Sequence, residues 1–175
     1  MIAKNLFRCA GLLALAASAQ LSAAQAKQCL TEPEMRGLVG YALPAVADAV
    51  VQRCSSILPA NSFLNSRGAK LVADLRLGQS AAWPGARSAI GKIGSGDGKS
   101  GENLSELPEG LVGPLMEGLI QERFVDDLKP QGCKDIDRVL TTLAPLPAAN
   151  MVEMITQVVM IAARDDKKMP TCQAV

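Results

Sequence analysis

Beyond residue 30, apolar residues recur at three- and four-residue spacing, and each such stretch predicts one face of a helix. The first stripe runs Met35, Leu38, Val39, Ala42, Leu43, Val46, Ala47, Val50, Val51, Cys54. Thr31 with Glu34 forms a capping box at its start, with Leu30 and Met35 in the staple positions. The stripe keeps its phase across Pro44, which predicts one continuous helix kinked there by loss of the bond to the Gly40 carbonyl. A tight hairpin at Pro44 is the alternative.

A second helix is predicted over 62–77, with Phe63, Leu64, Leu71, Val72 and Leu75 facing inward and Gly78 ending it. Trp83, Ala86, Ile90 and Ile93 make a third, shorter stripe. Leu111, Leu115, Leu119, Phe124 and Leu128 mark a fourth segment, expected in two pieces because Gly113 and Pro114 read as a stop followed by a first-turn proline. Residues 129–132 then read as a turn. Asp135 is placed to cap a helix carrying Ile136, Val139, Leu140 and Leu143, ended by APLP at 144–147. Asn150 with Glu153 is placed to cap the last helix, 151–164. Apart from Glu153, Thr156 and Gln157 that helix is apolar nearly all round, which predicts a position in the middle of the bundle. Strand-like alternation never persists for five residues outside these stripes. The expected fold is therefore all-α, a compact bundle of five or six helices with short connections.

The start of the chain has a different pattern. Lys4 and Arg8 precede an apolar run too short to span a bilayer, and Ala24, Gln25, Ala26 make a small-x-small triplet. Residues 1–26 are expected to be a cleaved signal peptide, and 27–175 a single helical domain in the periplasm or secreted. Neither Cys9 nor Cys29 stands in a lipoprotein-processing pattern. No later segment has the roughly 20 uninterrupted apolar residues of a membrane span. Removing Lys4 and Arg8 leaves 16 basic against 17 acidic residues, a near-neutral surface with no electrostatic handle for nucleic acid.

Four cysteines remain after that cut: Cys29, Cys54, Cys133 and Cys172. An even number in an exported chain predicts two disulfides, with three possible connectivities. The 25 residues between Cys29 and Cys54 would span about 38 Å as one helix and could not then be bridged, whereas a hairpin at Pro44 would allow it. With no histidine and no CxxC spacing, nothing in the pattern suggests zinc.

The stretch IGSGDGKSGEN at 93–103 resembles a phosphate loop in composition but not in spacing. Gly98, Lys99 and Ser100 match the end of the nucleotide signature, yet Ile93 stands where its first glycine belongs and Gly94 is one position late. Asp97 is a lone carboxylate, too few for calcium. The segment 94–103 is expected to be a flexible Gly/Ser-rich linker between two helical halves, and no cofactor is expected.

Nucleophilic catalysis lacks a base, since no histidine exists and no local signature singles out one serine for a Ser-Lys dyad. Of the paired carboxylates, adjacent ones such as Asp126 with Asp127, or Asp165 with Asp166, diverge by about 100 degrees on a helix. Asp135 and Asp137 suit a helix N-terminus, and Arg138 can pair with Asp135. The methionines Met151, Met154, Met160 and Met169 suit either core filling or an apolar groove. The expected role is thus binding or structural, with an apolar small molecule or a protein as partner, and a tunnel lined by Met154, Val158 and Ile161 would mark the ligand binder. An inhibitor or chaperone-like role would need an exposed apolar patch. The competing expectation is a hydrolase of cell-envelope polymers, with Glu117, Glu122 and Asp126 as its carboxylates.

Overall fold

The computed structural model of the chain describes residues 29–96, 105–120, 122, 128–164 and 171–172, with side chains omitted at 94–96. The expected signal peptide at 1–26, linker residues 97–103, Phe124, Asp126, Asp127, Asp165, Asp166 and Met169 lie outside the described residues. Among the described residues there are six helices and no strand. They are α1 (Glu32–Cys54), α2 (Phe63–Arg76), α3 (Gln79–Gly96), α4 (Glu109–Ile120), α5 (Pro130–Leu143) and α6 (Ala148–Ala162). The all-helical expectation holds.

Helix α1 is unbroken through Pro44, so the hairpin alternative is excluded. Its start is the expected cap: the Glu34 carboxylate accepts from the Thr31 amide at 2.9 Å and from the Thr31 hydroxyl at 2.8 Å. Each of the other five helices packs against α1, which makes α1 the axis of the bundle. That corrects the expectation for the last helix. On α6, only Met151 and Thr156 are buried, and Val158 and Ile161 are 60% and 59% exposed. Thr156 is satisfied within its own helix, its hydroxyl donating to the Val152 carbonyl at 2.7 Å.

Further expectations are corrected. Helix α4 runs straight through Gly113 and Pro114, and the carbonyl its proline leaves without a helical partner belongs to solvent-exposed Gly110. Its buried face is Val112 and Ile120, whereas the predicted stripe Leu111, Leu115, Leu119 is 50–57% exposed, because α4 packs mainly on α1 and one neighbour covers only part of a wide apolar arc. Helix α5 begins at Pro130, a first-turn proline, so residues 130–132 are helical and Asp135 lies inside the helix instead of capping it. Helix α6 likewise begins at Ala148, ahead of Asn150. Helix α3 continues to Gly96, three residues into the expected linker.

The connection from α1 to α2 is held by side chains. Asn65 donates to the carbonyls of Ser55, Leu58 and Pro59 at 3.1–3.2 Å, and Ser62 caps α2 by accepting from the Asn65 amide at 3.2 Å. A second cap arrives from another helix, since Asp137 of α5 accepts from the Leu64 amide at 2.8 Å.

Two cysteine pairs stand at disulfide distance. Cys54, at the end of α1, faces Cys133 in the first turn of α5 with 5.5 Å between Cα atoms, and Cys29 faces Cys172 with 4.9 Å. Beside the second pair, the Cys172 amide donates to the Leu30 carbonyl at 2.8 Å, the bond of an isolated bridge between Leu30 and Thr171.

Candidate functional site: an apolar cleft between four helices

The α1 stripe read from the sequence is shared between two faces. Leu43, Val46, Ala47, Val50 and Val51 recur at three- to four-residue spacing and form one wall of a cleft. Leu64, Leu71 and Leu75 of α2, Ile136 and Leu140 of α5, and Met151 and Ile155 of α6 complete it. The cleft has a volume of about 240 Å³, is partly open to solvent, and every side chain lining it is aliphatic or thioether. Leu64, Leu71, Leu75 and Met151 are buried at its base, and the α1 and α5 residues are partly exposed.

An apolar lining offers no donor or acceptor to hold water, and an enclosed apolar cavity of about 150 Å³ stays dry and admits benzene or xenon. This one is larger. The chemistry available in it is burial alone, worth about 25 cal/mol for each Å² of apolar ligand surface removed from water.

The most connected polar cluster lies elsewhere, where the start of α1 meets α3. Glu34 accepts from Ser88 at 2.6 Å and from Lys92 at 2.7 Å, besides Thr31, and the Lys92 ammonium also donates to the Cys29 carbonyl at 3.0 Å. Partial burial pushes the Glu34 carboxyl up, but the hydrogen bonds from Lys92, Ser88 and Thr31 outweigh it and hold its pKa down to about 2. Ser88 and Lys92, four residues apart, share one helix face and meet at the same carboxylate. A salt-bridged ammonium has no lone pair with which to take a serine proton, so the cluster is a structural lock. Nearby, burial raises the Tyr41 phenol, helped by the charges of Glu109 and Glu117. The Tyr41 hydroxyl donates to the Glu109 carbonyl at 3.3 Å and its ring lies 5.0 Å from that of Trp83.

Glu117 and Glu122 are both exposed, on and just beyond α4, and Asp126 lies outside the described residues. Neither glutamate lines the cleft or the two grooves below. Asp135 pairs with Arg138 at 4.0 Å, as its spacing suggested. Among the described residues no group of three or more Cys, Asp or Glu side chains could hold a metal. Val158 and Ile161, expected in a tunnel with Met154, stand exposed on α6 instead.

Two open grooves flank the bundle. One, of about 570 Å³, has a floor of small residues including Gly37, Gly40, Ala82 and Gly85. The other, of about 640 Å³, is lined by residues from the start of α1, the end of α6 and Thr171 and Cys172. The sequence showed the stripes of α1, α2 and α5 that line the cleft, but on α6 it pointed to Met154, Val158 and Ile161 where the structure uses Met151 and Ile155. What it could not show is that four stripes of medium-sized residues meet without filling the space between them. Compared with protein-family models, curated proteins and solved structures, the chain matches none.

Proposed function

We propose that the chain is an exported binding protein that carries a small apolar molecule in the cleft between α1, α2, α5 and α6. One observation carries this: an opening of about 240 Å³ that runs into the bundle without a single polar side chain in its lining. Such a site suits a neutral hydrocarbon portion and offers nothing to orient a polar head. The amino-terminal pattern and the two cysteine pairs at disulfide distance support export. Among the described residues, no helix is long and apolar enough to cross a membrane.

No observation in the described residues favours the hydrolase alternative with Glu117, Glu122 and Asp126. Native mass spectrometry of the protein purified from the periplasm tests binding directly. The expected result is a co-purifying apolar molecule, or saturable uptake of the neutral fluorophore N-phenylnaphthylamine by the emptied protein. A bare protein that takes up no fluorophore would overturn the proposal.

A further inference from the structure

The two cysteine pairs differ in access. Cys54 and Cys133 are wholly buried, packed with Leu58 and Leu64 and covered by Val50, Leu128 and Ile136. Cys29 and Cys172 are each partly exposed, and Cys172 forms part of the wall of the groove of about 640 Å³. Thiol–disulfide exchange requires a thiolate to reach one sulfur of the bond, so access decides which of two bonds reacts in the folded protein. The groove carries charges of both signs. Arg164 lines it, while the carboxylate of Glu32 on the same wall is engaged by Arg36 at 3.0 Å and by Gln157 at 3.1 Å.

From this geometry we infer that the Cys29–Cys172 bond is a site of thiol–disulfide exchange with a small or protein-borne dithiol, entered through the groove between the start of α1 and the end of α6. A thiolate of the dithiol attacks Sγ of Cys172, the member of the pair that lines the groove. The Cys29–Cys172 bond breaks, a mixed disulfide forms at Cys172, and Cys29 leaves as a thiolate that takes a proton from water. The second thiol of the reagent, deprotonated, then attacks its own sulfur in the mixed disulfide and releases Cys172. The protein gains two electrons and two protons, and the dithiol is oxidised to its disulfide. Throughout, Cys54–Cys133 still ties α1 to α5. This inference is independent of the cleft and stands or falls apart from it.

The test is graded reduction of the native, full-length protein with dithiothreitol, trapping with N-ethylmaleimide, and peptide mapping, with helical circular dichroism followed in parallel. Cys29 and Cys172 are expected to be labelled at a dithiothreitol concentration at least tenfold below that needed for Cys54 and Cys133, with the helical signal unchanged. Labelling of all four together, of Cys54 and Cys133 first, or only after helicity is lost would overturn it. Brief exposure to glutathione, trapped at low pH, is expected to leave the adduct on Cys172. An adduct found on Cys29 alone would overturn the assigned direction of attack.

Discussion

Helix α1 meets its neighbours in two contrasting ways. Toward α3 it presents Gly37, and the two helices approach until a Cβ on Gly37 would stand 2.6 Å from backbone atoms of Gly85 and Ala86. Ala86 and Ala89 are fully buried in that seam. Toward α2, α5 and α6 the same helix presents Leu43, Val46, Val50 and Val51, which line the cleft, although Val51 also fits closely against Gly68 of α2. Large apolar residues therefore do not mark the tightest packing in this molecule. The seam is close because its residues are small, and the cleft lies where larger aliphatic side chains from four helices converge.

Gly37→Ala gives the largest effect expected. The added methyl meets backbone rather than a flexible side chain, so the seam must open. Overpacking of about 2–3 kcal/mol exceeds the helix-propensity gain of about 1 kcal/mol, and urea unfolding is expected to show a net loss of about 1–2 kcal/mol or more. An unchanged midpoint would mean that the seam is not close-packed.

The polar lock at the end of the seam comes next. Glu34 has a folded pKa depressed from 4.5 to about 2, so its contribution is complete above about pH 4.5 and is lost as pH falls toward 2. Allowing for solvent screening, that contribution is about 1–2 kcal/mol. Glu34→Gln is expected to remove it at neutral pH and to flatten the stability profile between pH 4.5 and 2, as measured by urea titration across that range. A variant whose acid profile matches the parent would show that Glu34 is not the group responsible.

The smallest effect has the opposite sign. Gly118 lies in α4 with open space around it, so Gly118→Ala is expected to stabilise the protein by up to about 1 kcal/mol, read from the thermal midpoint. Loss of stability there would remove the contrast between seam glycines and surface glycines.

Much of the helical layout was legible. Thr31 and Glu34 announced the start of α1, the helix read over 62–77 is α2 with Ser62 as its cap, and Pro44 was read through because the apolar phase continued past it. Burial was harder to read. The buried positions of α1 include Gly37, Gly40, Ala45 and Ala49, which a hydrophobic stripe weights lightly or not at all. Leu111, Leu115 and Leu119 are as apolar as Val112 and Ile120, and only the neighbour's position decides which set is covered. Asp137 reaches the start of α2 from 73 residues away, and local spacing carries no trace of such a cap. The cleft was half legible: its walls are stripes in the sequence, but its emptiness is a difference between volumes that only packing reveals.

The central claim is that the cleft is vacant space that a ligand fills. Ala47 lines it and is partly exposed, so Ala47→Leu adds bulk where there is room. N-phenylnaphthylamine titration of this variant beside the parent is the most direct measurement. The account predicts at least a tenfold loss of fluorophore affinity together with equal or higher stability, by up to about 2 kcal/mol. Unchanged affinity, or a stability loss like that of Gly37→Ala, would contradict it.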